Sequence, residues 1–259
     1  MVMIRPIFRA LIPLAAMVAV PAFAQGGPRD FTGFWNLDFG APAPDAAEMV
    51  AKLPPNTVVI EDTGVVEFPE NEYGGLKLKP ETLEKASAWT PTDEMTVSRV
   101  CAAPSVVYSI QGPFPFEVYE APGLIVFRYE YFDQTRLIFT DGRGHPAADA
   151  PHSKMGHSIG HWEGDDLIVD TTHIMASTIT NNGLDHSDAI HMVERYRKLD
   201  DGSLLAIQWF EDPTVLDNNG ARVIQWKKHE GQYVFPYDCD PSFALEYQKT
   251  GAGEEEGAE

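Results

Sequence analysis

Seven of the chain's eight histidines fall between His145 and Arg195: His145, His152, His157, His161, His173, His186 and His191. The same stretch carries Asp165, Asp166, Asp170, Asp185, Asp188 and Glu194. Imidazole titrates near neutrality, and an adjoining carboxylate fixes its tautomer and raises its basicity. Such a density of the two types is what general acid–base catalysis uses. The stretch divides into GHSIGHW, a tight EGD turn, DLIVDTTHI, a polar loop and AIHMVERYR, so its chemistry must be positioned by adjacent strands. Alternation puts Asp166, Ile168, Asp170 and Thr172 on one face of the second strand, and Leu167, Val169, Thr171 and His173 on the other. In the third, His191, Val193 and Arg195 oppose Ile190, Met192, Glu194 and Tyr196. With charges on both faces, some of these groups line a polar cavity or pair with each other. The catalytic candidates are His157, His186, His191, Asp170 and Glu194. His157 and Asp170 stand at similar distances from Gly164 and are expected to be cross-strand neighbours. His186 is expected to enter from the loop beyond. Glu194 also has a plain structural reading, as the partner of an arginine on a neighbouring strand.

Other motifs in the stretch say less. Gly156-His157-Ser158-Ile159-Gly160 matches the nucleophile elbow G-x-S-x-G, but an elbow needs an apolar strand before the serine and a helix after it. Asp149–Lys154 precedes this one, and a turn into another strand follows, so the match reads as a decoy. His152, His157 and His161 are the candidate metal ligands, since three nitrogens with an open position suit catalytic zinc. His152 falls outside the strand, and the expectation is a protein without metal or other cofactor. Asp141, Arg143 and His145 read as a structural turn. Most aromatics must be core, yet aromatic walls with a few polar groups also describe a small-molecule pocket. Trp162, Tyr129, Trp209 and Arg195 are the substrate-binding candidates.

The rest of the chain must support these strands. Residues 1–24 read as a signal peptide: Arg5 and Arg9, an apolar run from Ala10 to Val20, and the A-x-A site Ala22-Phe23-Ala24. The expected location is the periplasm or the medium. Taking those two arginines from the 19 basic residues leaves 17 against 39 acids, a net charge of −22. That disfavours nucleic acid and anionic lipid as partners and leaves a small-molecule ligand or substrate. No later stretch could insert in a membrane as a helix. Cys101 and Cys239 are expected to form a disulfide in an oxidising compartment. Closing so long a loop would contribute about 4–5 kcal/mol in the chain-entropy model.

Residues 25–250 read as a single β-barrel domain, and 251–259 as a disordered acidic tail. Short helices are expected from Pro44 to Leu53 and over Lys79–Ala86. Strands are expected near Phe31–Asp38, at Val58–Ile60 and at Val65–Phe68. From Ser105 the pattern becomes a meander: Ser105–Ile110, Phe116–Glu120, Leu124–Phe132, Thr135–Thr140, His157–Trp162, Asp166–His173, Ala189–Arg197, Ser203–Phe210, Arg222–His229 and Gln232–Tyr237. Turn signals such as Pro122-Gly123, Glu163-Gly164-Asp165 and Asn218-Asn219-Gly220 separate them.

Three blocks carry a resemblance. They are Arg136 to Pro146, then GHSIGHWEGDDLIVDT from Gly156 to Thr171, then His186 to Arg195 with Glu211-Asp212-Pro213. Together they resemble a group of uncharacterised exported bacterial proteins with a GHSIGxWEGDxLIVDT motif. The Gly33-x-Trp35 opening resembles that of lipocalin-type barrels. These resemblances imply export and a barrel, and no particular reaction. His161 stands where that group is expected to carry Arg, which weakens it as a metal ligand.

The expected fold is therefore mainly β, an antiparallel lipocalin-like barrel of about eight to ten strands with short helices. The expected function is an exported isomerase, lyase, hydratase or hydrolase using His, Asp and Glu on a small, largely apolar substrate. The alternatives are a non-catalytic carrier of a hydrophobic ligand and a His-rich metal-binding protein.

Overall fold

The computed structural model describes Gly27 and residues 29–62, 67–247 and 249. The expected signal peptide, the expected disordered tail, and Val65 and Val66 of one expected strand lie outside the described residues. The strands are β1 (Gly33–Leu37), β2 (Thr57–Val59), β3 (Phe116–Ala121), β4 (Leu124–Tyr129), β5 (Thr135–Phe139) and β6 (His157–Glu163). They continue as β7 (Asp166–Thr172), β8 (Ser177–Thr180), β9 (Leu184–His186), β10 (His191–Lys198), β11 (Leu204–Glu211) and β12 (Asn219–His229). Short helices accompany them, among them α1 (Asp45–Val50), α2 (Pro80–Ser87), α3 (Pro91–Glu94) and α4 (Val106–Ser109).

Nine strands close a barrel in the order β1-β3-β4-β5-β6-β7-β10-β11-β12, with β12 returning to β1. The expected strand number is met, but the barrel is mixed. β5 and β6 run parallel, and β2 adds in parallel to β12 outside the ring. A parallel pair needs a crossover of about a dozen residues or more. The connection 140–156 supplies it and runs back along the outer wall. Two expected strands are not strands. Ser105–Ile110 holds α4, because Val106, Val107, Tyr108 and Ser109 are all buried, where a half-exposed strand would alternate. Gln232–Tyr237 has no regular structure among the described residues. The β8–β9 hairpin is built from a polar, Thr-rich segment that reads as a loop.

Period-two alternation fills the interior. Ile125, Phe127 and Tyr129 of β4, Leu167 and Val169 of β7, Tyr196 of β10 and Trp226 of β12 meet Phe31, Trp35 and Phe116 in one core. Outside, α1 lays Ala46 and Met49 on Leu205 and Ile207 of β11. Fully burying one such apolar side chain contributes about 1.5–3 kcal/mol. A second core, with Val106, Val107, Ile179 and Leu184, joins α4 and the β8–β9 hairpin to the barrel.

Cys101 and Cys239 are bonded across 138 positions. Disulfides deliver about 2–4 kcal/mol in practice, often less than the chain-entropy value. The Cys101→Ser/Cys239→Ser double variant should therefore lose about 2–4 kcal/mol of unfolding free energy, read as a lower denaturant midpoint. A non-reduced digest should yield the linked peptides, and two alkylatable thiols in the native protein would contradict the bond.

Candidate functional site

The registers lay out the outer wall as rows. Along one row, His157 of β6 faces Thr172 of β7, and His191 of β10 faces Glu211 of β11. The next row is Ile159, Asp170, Val193 and Trp209; the third is His161, Ile168, Arg195 and Ile207. His157 and Asp170 share a face but are diagonal neighbours, not opposite ones. The turn after Glu163 pairs Glu163 with Asp166, so Asp170 falls opposite Ile159.

His145 fills the diagonal. The parallel crossover drapes it over the wall, where its Nδ1 is 3.1 Å from His157 Nδ1 and its Nε2 3.1 Å from Asp170 Oδ1. His191 Nε2 reaches the same Oδ1 at 3.0 Å, and its Nδ1 lies 3.4 Å from Glu211 Oε1. Thr172 Oγ1 contacts His145 Nδ1 at 3.1 Å and His173 Nδ1 at 2.8 Å. The result is a relay, His157–His145–Asp170–His191–Glu211. A carboxylate only accepts, so both Nε2 atoms on Asp170 carry protons. With Nε2 protonated in a neutral His145, its Nδ1 is a lone pair that accepts from His157 Nδ1–H. His157 Nε2 is then the free lone pair, and it has no partner among the described residues. Gly156, just before His157, has φ +63°, and an added Cβ there would stand 2.7 Å from the Thr172 carbonyl oxygen. Only glycine fits that approach.

The electrostatics split the two outer histidines. Burial pushes the His157 imidazole below its ordinary value, and the neighbouring His145, His173 and Arg143 side chains push it the same way. The Asp170 hydrogen bond raises His191, against the burial that opposes it. Asp170 is in turn held below the usual carboxylate range by the His191 bond, again against burial. Proton NMR titration should give a midpoint below about 6.5, the ordinary histidine value, for His157 and above it for His191. Coincident midpoints would contradict the split.

An apolar cleft of roughly 200 Å³ adjoins this relay between α1 and the wall, floored by Ile168, Val193, Ile207 and Trp209 and roofed by Met49 and Leu53. It is smaller than the 300–1,000 Å³ or so of typical ligand pockets. Trp209 stands edge-on to His191 at 6.0 Å, and Phe139 stacks on His157 at 5.4 Å. Arg195 lines the cleft with its charge matched by Glu163 and Asp166.

Asp170, His157, His191, Trp209 and Arg195 thus share one face. The other candidates lie elsewhere. Glu194 points into the barrel and pairs with Arg136, both fully buried. That arginine is on β5, across the interior and not on a neighbouring strand. Tyr129 is buried in the same interior. Trp162 packs against Phe31 and carries Arg29 over its ring. His186 is buried on β9, between Ser105 and the Ser187 carbonyl, and is not brought to Asp170. Nor do His152, His157 and His161 converge. His152 bonds the Ile174 carbonyl, and His161 is exposed beside Glu163. Among the described residues no group of three or more His, Cys, Asp or Glu is arranged to hold a metal ion. Ser158 is buried in mid-strand, bonded to Arg136 and Thr171, with no elbow around it.

Sequence reasoning missed His145, Thr172 and Glu211. Glu211 had a usable signal, since it ends the strand that follows His191. No family model matches the chain, and no curated protein is significantly similar to it.

Proposed function

We propose that this protein is an exported acid–base enzyme that moves a proton on a small, largely apolar substrate, by isomerisation or by elimination and hydration. The observation that carries this reading is the relay His157–His145–Asp170–His191, its contacts at 3.0–3.1 Å, on a wall that adjoins an apolar cleft. Two titratable groups whose surroundings push them apart are the mark of an acid and a base in one site. His157, kept neutral, takes the proton at Nε2, and His145 and Asp170 stabilise the charge that forms. His191, its protonated form favoured by Asp170, stabilises negative charge on the substrate oxygen and returns the proton. Its 3.4 Å contact with Glu211 is long enough to yield to a substrate. Trp209 and the α1 side of the cleft hold the apolar part of the substrate. The carrier reading is weaker, because Phe127, Tyr196, Trp226 and the Arg136–Glu194 pair fill the barrel where a lipocalin-type ligand would sit. Export rests on the leader and on the Cys101–Cys239 bond.

The test is carbon-bound hydrogen exchange. Small ketones, enones and lactones are incubated with the protein in D₂O and followed by NMR. Protein-dependent deuteration of at least one is expected, and His157→Ala should lower it by about 100-fold or more. No protein-dependent exchange anywhere in the panel, or equal exchange by His157→Ala, overturns the reading.

A further inference from the structure

A second cluster of nucleophilic and basic groups lies where the β8–β9 hairpin meets the start of α4. In that hairpin Ser177 stands opposite His186. Ser177 Oγ accepts from the Ser105 backbone N–H at 3.1 Å and from Lys154 Nζ at 3.3 Å. Ser105 Oγ is 2.7 Å from His186 Nε2, while His186 Nδ1 is 2.7 Å from the Ser187 carbonyl oxygen. A carbonyl only accepts, so Nδ1 carries the proton and Nε2 accepts from the Ser105 hydroxyl. His186 is therefore committed to holding Ser105, and both are buried, at 2% and 0% exposure. Ser177 and Lys154 are half-buried, and both line a cleft of roughly 240 Å³ with Pro104, Ala176 and Thr178.

We propose that Ser177 and Lys154 form a nucleophile–base pair that accepts the acyl group of a small, neutral carboxylic ester. A lysine in contact with a serine hydroxyl is one of the recurring ways to activate that oxygen. The base must be neutral to act. Burial lowers the Lys154 ammonium from its ordinary value; Asp185 opposes the shift and Arg99 adds to it. The other charged and titratable groups lining the cleft are Lys85, Glu94 and His186. Lys85 pairs with Asp185, and Arg99 with Glu94. With those charges matched and Lys154 neutral, the cleft has no net charge, which suits a neutral ester.

In the first step Ser177 Oγ bonds to the carbonyl carbon and its proton passes to Lys154 Nζ. The bond from that carbon to the ester oxygen then breaks, and the leaving alcohol takes the proton from Lys154. Water hydrolyses the acyl-serine by the same route, with Lys154 accepting the water's proton and returning it to Ser177. The Ser105 N–H points at Oγ and stabilises negative charge there as it develops. His186 is a positioning residue that acts through Ser105.

A fluorophosphonate probe tests this, with the labelled residue located by peptide mass spectrometry. A single adduct on Ser177 is expected, absent in Ser177→Ala. Lys154→Arg can still donate a hydrogen bond to Ser177 but stays charged and cannot act as a base near neutrality, so it should be labelled about 100-fold more slowly than the unmodified protein. The labelling rate should rise with pH to a midpoint below the ordinary lysine range. Circular dichroism checks that each variant is folded. No adduct, an adduct on Ser105 or another residue, or wild-type labelling of folded Lys154→Arg overturns the proposal.

Discussion

Arg136→Met lowers the unfolding free energy by about 3–5 kcal/mol, the cost of leaving a buried charge without its partner. Arg136 and Glu194 are both at 0% side-chain exposure, inside an otherwise apolar barrel. The guanidinium spends its donors locally. Nη1 bonds Glu194 Oε1 at 3.1 Å, Nε bonds Ser158 Oγ at 3.0 Å, and a second Nη2 bond reaches Thr171 Oγ1 at 2.8 Å. Tyr196 donates its hydroxyl to Glu194 at 2.8 Å. Burial, the largest single influence, would lower Arg136, but the Glu194 carboxylate together with the Tyr196 and Tyr129 phenols outweighs it and keeps the guanidinium protonated. Ser158 and Thr171 keep each other and Tyr196 keeps Glu194, but removing the arginine strands a buried carboxylate without its countercharge. Removing both charges does not, so Arg136→Met/Glu194→Leu should lie much nearer the parent, within about 1–2 kcal/mol. Urea titration of the two singles and the double closes the cycle. A double variant as unstable as the sum of its singles would show that the two residues act independently.

That ion pair marks where the sequence stops being legible. The β-rich pattern, the turn signals and the alternation along β4, β7 and β10 predict strands and faces, and the strand number follows from them. Alternation also says that Glu194 is on the face opposite His191 and Arg195. It does not say which face is inside, because Leu167, Val169 and Thr171 are little more apolar than Ile168 flanked by Asp166 and Asp170. Burial decides, and the interior takes Glu194 because Arg136 arrives from the far side of the ring to meet it. His145 was hidden for a different reason. Its place depends on β5 and β6 being parallel, which local pattern cannot distinguish from a long hairpin loop. Once the crossover is known, a residue at its start must lie against the outer wall near Asp170. Ser105–Ile110 misled because Val106, Val107, Tyr108 and Ile110 are as strand-like in type as any segment in the chain. Burial on all sides selects a helical turn there.

Asp170→Asn should cut the proton-transfer rate by about 100- to 10,000-fold while leaving the barrel folded. One oxygen, Oδ1, receives both His145 Nε2 and His191 Nε2. Asparagine keeps the shape and an acceptor but removes the charge, and its amide can turn a donor toward the imidazoles. His145 then loses the bond that keeps its proton on Nε2, and with it the lone pair facing His157. His191 loses the main cause of its raised value, so its midpoint should fall relative to the parent protein. Acid and base are thus disabled by one substitution, which touches the acid directly and the base only through His145. The stability effect has a defined pH window. His191, raised in the folded state, contributes below its unfolded value, and the contribution is lost as pH rises through its folded value. Asp170, lowered in the folded state, contributes above its unfolded value, and the contribution is lost as pH falls through its folded value. The stability difference between parent and variant should therefore be largest between about pH 4 and 6.5, and shrink on both sides. Denaturant titrations across pH, beside the histidine NMR titration, measure it. A flat difference across that range, with His191 titrating as before, would mean that Asp170 does not govern the relay.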